Sequence, residues 1–334
     1  MTNLVHKHPA SPTLELYRRL ENKGHRARIV PIKRLSTLRQ KATEWREKNL
    51  LDQDLIEEYL MDFVFDLPKK FLKAKSIVVV ASPQPHREVT FTLDKTTAPA
   101  LIPSNYSKET DAQVTKILDD YALSMNFRFI KAALPLKILA VCSGLAEYGK
   151  NNIAYVRGMG SYIRLTAFYS DLPPDEDIWL EPQMMERCRH CAACLKSCPT
   201  QAICSERFLL YAERCITFHN ERKQDFPFWF QSSWHNSLVG CLYCQQCCPE
   251  NKANRDWIEN SWVFSKDETS RIMNGEPIEK LPGEMVKKLE QLGMLTYYGI
   301  LPRNLRSLLA KKPFPPKGSR YEEKENLNAQ RFLS

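Results

Sequence analysis

Ten of the chain's eleven cysteines fall between Cys188 and Cys248, and their spacing constrains the fold more than any other feature of the sequence. The first run places Cys188, Cys191, Cys194 and Cys198 in the pattern C-x2-C-x2-C-x3-C, closed by Pro199. Three thiolates on so tight a loop take three corners of an iron–sulfur cube, and the fourth turns away toward a second cube. The second run, Cys241, Cys244, Cys247 and Cys248, again ends in Cys-Pro. Two separated C-x2-C knuckles would suit zinc. Triple runs closed by Cys-Pro instead point to two 4Fe–4S clusters. Two cubes need eight thiolates, so three cysteines are spare. Cys142, beside Ala140, Val141 and Leu145, reads as a core residue, and Cys204 as packing after the Pro-Thr-Gln-Ala-Ile turn. Spacing alone leaves Cys215 and Cys247 as alternatives for the last ligand place.

A chain of 334 residues has room for two or three modules around that cysteine segment. Its 43% hydrophobic and 26% charged residues are the proportions of a globular protein, not of a disordered one. The longest apolar stretch, 130–146, is interrupted by Lys131 and Lys137 and falls short of the ~18 residues of a membrane span. The first twelve residues hold no apolar signal core, so a cytoplasmic location and no membrane partner are expected. In that setting dense cysteines mean metal or redox chemistry rather than disulfides. The net charge of +9 is uneven. Residues 1–50 carry 12 basic and 4 acidic side chains, and residues 301–334 carry 8 and 3, whereas the middle is slightly acidic. Basic ends of this kind either dock a phosphate backbone such as RNA or form solvated faces.

Periodicity predicts a helix over residues 14–24 ended by Gly24, a strand from Ala27 to Ile32 and a helix from Leu35 to Asn49. The run Ser76–Ala81 is apolar throughout, as in a strand buried on both faces. A helix follows at 111–125, a strand at Phe127–Ile130, a helix from Leu139 into a glycine turn, and a strand at 161–169. An acidic, proline-broken connector at 170–187 leads into the cysteines. Short helices are expected at Pro282–Leu292 and Pro302–Lys311, then a loose tail from Phe314. No GxGxxG follows a strand and no GxxxxGK[ST] is present, so an external donor must supply the electrons.

Upstream of the cysteines, Ser143-Gly-Leu-Ala-Glu-Tyr-Gly-Lys-Asn151, then Gly160-Ser161, then Ser170-Asp171-Leu172-Pro173 form an ordered series. With the cysteine runs, Glu213-Arg214-Cys215-Ile216 and Gly240-Cys241, this series resembles the epoxyqueuosine reductase family. Those are cobalamin-dependent iron–sulfur enzymes related to reductive dehalogenases, and the resemblance covers roughly residues 70–255. It implies an α+β fold: a nitroreductase-like cobalamin-binding domain over 1–175, a ferredoxin-like module with two 4Fe–4S clusters over 176–260, and a helical region over 261–334.

The resemblance also implies a ligand set. One cluster would take Cys188, Cys191, Cys194 and Cys248, and the other Cys198, Cys215, Cys241 and Cys244, leaving Cys247 extra. Cobalamin would be held largely by backbone near Ala154, Gly160, Ser161, Leu165 and Gly240. The implied activity is reductive cleavage of a substrate bond, with epoxyqueuosine in tRNA the family substrate and a ferredoxin or flavodoxin the donor. The family's proton-donating Asp falls on Ile130, and isoleucine holds no proton. Lys131 is the adjacent candidate for that role. The same substitution raises two alternatives: an electron-transfer or cobalamin-handling protein without turnover, and a dehalogenase-like reductase of small molecules.

Overall fold

The apolar run at 76–81 sits at the centre of the first sheet, and its alternation explains the layers around it. The computed structural model describes residues 11–48, 51–60, 63–94 and 97–310. The N-terminal part is built from α1 (Pro12–Glu21), β1 (Arg26–Pro31), α2 (Arg34–Glu47), the single turn α3 (Gln53–Leu55), β2 (Ser76–Pro83), β3 (His86–Thr92), β4 (Thr97–Ile102), α4 (Glu109–Met125), β5 (Phe129–Lys131), α5 (Leu136–Cys142), β6 (Glu147–Tyr148), β7 (Ala154–Tyr155) and β8 (Ile163–Ser170). Strands β1-β2-β8-β5 form one sheet in which every pairing is antiparallel. Successive side chains of a strand point to opposite faces. Ile77, Val79 and Ala81 accordingly pack with α2 and α5, while Val78 and Val80 pack with Leu16 and Leu20 of α1 and Val114 and Leu118 of α4. Ser11 caps α1, its Oγ accepting from the Leu14 N–H at 3.1 Å.

The cysteine segment contributes only short helices: α6 (Ala193–Ser197), α7 (Ile216–Glu221) and α8 (Tyr243–Gln246), with α6 packed on α8. The chain then returns as β9 (Ile258–Phe264), followed by α9 (Lys266–Met273), α10 (Gly283–Gln291) and α11 (Leu301–Leu309). Strand β9 pairs parallel to β3, completing a second sheet of order β4-β3-β9. A boundary at 260/261 therefore falls inside a strand. Phe91 and Ile102 from the N-terminal part share one core with Phe264, Met285 and Leu301 from the C-terminal part, and Leu238 and Val239 of the cysteine segment enter it too. The expected tail from Phe314, and Lys311 at the end of the last expected helix, lie outside the described residues.

Candidate functional site

The two cysteine runs fold back on each other through the α6–α8 contact, and their thiols sort into two groups. Cys188, Cys191, Cys194 and Cys248 line one cavity together with Gly149, Asn151 and Tyr155. Burial pushes the Cys194 thiol up to about 12, and the thiols of Cys247, Cys188, Cys248 and Cys191 around it act the same way. In the second group, burial pushes Cys241 up to about 12 and is reinforced by Cys215 and Cys198. Cys244 is raised first by burial, then by Cys241 and Cys215. Thiols this crowded are costly to ionise unless a cation sits among them, and bound iron reverses the balance. Cys247 stays on the side of the first group, its Sγ directed at the Cys244 carbonyl at 3.6 Å. Cys142 is buried in α5, away from both groups, and Cys204 is half-buried beside Glu206.

A buried polar seam joins the Val156–Ile163 turn to the second run. The Ser161 N–H donates to Asn251 Oδ1 at 2.8 Å and its hydroxyl to Gln245 Oε1 at 2.9 Å. Asn251 Nδ2 donates back to Ser161 Oγ and to the Gln245 carbonyl. Gly160 lies at φ 70°, and a Cβ there would meet Asn251 Oδ1 at 2.4 Å, so only glycine admits the contact. Ala154 is buried in β7, and Leu165 is half-buried opposite Ala81. Asn251 and Gln245 carry no motif that singles them out in sequence.

Beside the second thiol group a cluster of polar side chains converges that the sequence did not announce. Tyr106, from the loop between β4 and α4, donates its hydroxyl to Glu221 at the end of α7. Gly240, at φ 73°, permits this, because a Cβ there would lie 2.5 Å from Tyr106 Oη. Tyr297 meets the Tyr106 ring edge-on at 5.3 Å. Lys137 of α5 lies near Cys215, Glu221 and Cys244. Enclosure by the surrounding protein lowers its pKa, while Cys215, Glu221 and Cys244 act the other way. Burial pushes the Glu221 carboxyl up to about 7, against the pull of Tyr106 and Lys137. Next to it, the buried Asn220 Oδ1 has no hydrogen-bond partner among the described residues. A cation, an acid, two phenols and an unpaired buried amide oxygen thus converge beside the second thiol group.

Ile130 lies in β5, paired with Tyr169 of β8. Lys131 is exposed, and its ammonium is bound to Asp111. Of the C-terminal basic residues, Arg303 lies 3.9 Å over the Phe226 ring and donates to the His219 carbonyl, and Arg306 donates to the Met273 carbonyl. Both are engaged within the chain. Lys311 and Lys312 lie outside the described residues.

Residues 187–251, which hold both cysteine runs, match the 4Fe-4S double cluster binding domain family. The chain resembles the epoxyqueuosine reductases. The epoxyqueuosine reductase of Pseudomonas aeruginosa is 36% identical over 196 residues, 54% of this chain and 53% of that one. That of Cellulophaga algicola is 28% identical over 172 residues, 51% and 54% respectively. The chain thus spans about half the length of the curated relatives it matches. In structure, an epoxyqueuosine reductase with a tRNA-Tyr epoxyqueuosine-modified stem loop superposes with a TM-score of 0.62. That match covers 89% of this chain and 80% of that one at 21% identity. The enzyme from Streptococcus thermophilus gives a TM-score of 0.58 over the same shares. The fold is therefore the α+β fold of the epoxyqueuosine reductases with its two-cluster module. Among the described residues no helix is long and apolar enough to cross a membrane.

Proposed function

We propose that the chain is an iron–sulfur oxidoreductase that receives electrons from a ferredoxin- or flavodoxin-type donor and uses them to cleave a substrate bond reductively at the Lys137–Glu221 cluster. The observation that carries this reading is spatial: the second thiol group, Cys215 and Cys244 included, lies against the polar cluster of Lys137, Glu221 and Tyr106. Cys188, Cys191, Cys194 and Cys248 are the proposed ligands of one 4Fe–4S cluster, in keeping with their common cavity. Cys198, Cys215, Cys241 and Cys244 are those of the other. Cys215 is preferred to Cys247 because it neighbours Cys198 and Cys241.

Cobalamin is the cofactor proposed to lie at that cluster, and when bound it supplies low-valent cobalt, a strong nucleophile and reductant. Around it, Lys137 offers a cation, and Tyr106 and Tyr297 wall off water. Glu221 holds a proton near neutrality, the property a general acid needs and Ile130 lacks. Epoxyqueuosine in tRNA is the proposed substrate, as in the relatives' name, and the cytoplasm the proposed location. Residues 1–175 are proposed as the cobalamin-binding part, 176–260 as the cluster module and 261–334 as the helical C-terminal region, of which the described residues to 310 share a core with both. The replacement of the family acid by Ile130 supports a second reading, an electron-transfer or cobalamin-handling protein. Anaerobic reconstitution followed by hydroxocobalamin titration tests the cofactor assignment. About eight irons per chain and saturation near one equivalent of cobalamin are expected; a chain that loads iron but binds no cobalamin is left with the electron-transfer role.

A further inference from the structure

Tyr155 reaches the first cysteine group because its neighbours make room for it and aim it. Gly149 clears the way: a Cβ at that position would lie 2.6 Å from Tyr155 Cε2. Asn151 Nδ2 donates to the Tyr155 hydroxyl oxygen at 2.9 Å. That bond occupies an acceptor lone pair and leaves the hydroxyl proton to point elsewhere. The Cys248 thiol lies beside the hydroxyl, and both residues line the cavity shared with Cys188, Cys191 and Cys194. The side chain is 3% exposed, so bulk water does not compete for the bond. The same Asn151 amide donates to the Cys244 carbonyl at 3.2 Å, which fixes the pair against the second group as well.

The geometry points to Tyr155 as a positioning residue that tunes the first cluster: its hydroxyl donates a hydrogen bond to Cys248 Sγ and raises that cluster's reduction potential. This rests on Cys248 being a ligand of that cluster, as proposed above, and does not depend on the substrate. Reduction places one more negative charge on the cubane and its sulfurs. A donor aimed at a ligand sulfur therefore favours the reduced state, and hydrogen bonds to sulfur are among the factors that set such potentials. Low local dielectric strengthens the effect. Asn151 and Gly149 serve the tyrosine: one holds the hydroxyl, the other admits the ring.

The test is a potentiometric titration of the reconstituted full chain, followed by electron paramagnetic resonance, with Tyr155→Phe alongside. Phenylalanine keeps the ring and removes only the donor. One of the two midpoints is expected to fall by about 59 mV, a tenfold change in the reduced-to-oxidised ratio for one electron. The other midpoint and the iron content should stay put. Site-specific 3-fluorotyrosine at position 155, a stronger donor with an intact hydroxyl, should move the same midpoint the opposite way, and it decides the matter if Tyr155→Phe loads iron poorly. Unmoved midpoints in a fully loaded variant overturn the tuning role while leaving both clusters standing. A wild-type chain that takes up no iron removes the cluster reading itself.

Discussion

The Lys131 ammonium lies 2.7 Å from Asp111 Oδ2, so the candidate proton donor beside Ile130 is held in an ion pair. Asp111 is buried, which by itself works to raise its pKa, but hydrogen bonds from Arg164 and Lys131 outweigh that and hold it below the usual carboxylate range. Arg164 grips both carboxylate oxygens, at 2.9 and 3.2 Å. Lys131 is the more exposed partner, so Lys131→Ala is expected to cost at most about 1 kcal/mol and to leave turnover intact. Arg164→Ala leaves a buried charge half-paired and should cost about 1–3 kcal/mol. Because the folded-state pKa of Asp111 is depressed, its contribution is present above pH 3.8 and lost as pH falls through the folded value. Urea titrations of both variants, repeated toward acid pH, check the ranking.

Glu221 shifts the opposite way. The folded chain keeps a proton there up to about pH 7, whereas an unfolded glutamate releases it near 4.5. Stability should therefore fall as pH rises between those values and remain lower above them. Glu221→Gln removes that slope, so its melting temperature should exceed that of the wild type by a margin that widens toward neutral pH. The same variant cannot deliver a proton, and turnover should drop by about 10²–10⁴-fold if Glu221 is the acid. A variant that keeps both the slope and the rate would exclude it.

Cys215 and Cys247 separate by iron count. Cys215→Ser should lose about four of about eight irons after anaerobic reconstitution, and Cys247→Ser should keep them all. Cys142→Ser and Cys204→Ser are expected to load fully. Iron lost only from Cys247→Ser would exchange the two assignments.

The clusters were legible because ligand chemistry fixes spacing along the chain, and the central sheet because β2 is buried on both faces and reads as an unbroken apolar run. Strand β9 was not. Ile258–Phe264 carries no strong alternation, and its pairing with β3 is a contact between residues about 170 apart, which local sequence does not encode. That pairing is why the C-terminal helices share a core with Phe91 and Ile102 instead of forming a separate appendage. The polar cluster beside the second thiol group was hidden for a related reason. Tyr106, Lys137, Glu221 and Tyr297 come from four distant segments, and none sits in a motif. Charge counting placed Arg303 in a basic end that either docks RNA or faces solvent, yet its guanidinium is stacked on Phe226 and bonded to the His219 carbonyl.

Arg303→Ser should consequently act on stability and not on RNA. Loss of the stacked cation and its carbonyl bonds is expected to cost about 1–3 kcal/mol. The slope of tRNA affinity against salt should stay unchanged, since each phosphate contact removed would reduce it by about 0.7–0.9. A filter-binding series at increasing salt, beside a thermal melt, separates the two effects.

The most direct test of a reductase working at the Lys137–Glu221 cluster is turnover itself. The chain, reconstituted with iron and sulfide and supplied with cobalamin and a low-potential reductant, is incubated anaerobically with a stem loop carrying epoxyqueuosine, and the RNA is read by mass spectrometry. A product lighter by one oxygen atom, formed repeatedly per chain and strongly reduced by Glu221→Gln, is the predicted result. Unchanged RNA from protein that holds both clusters and cobalamin would contradict the account and leave an electron carrier.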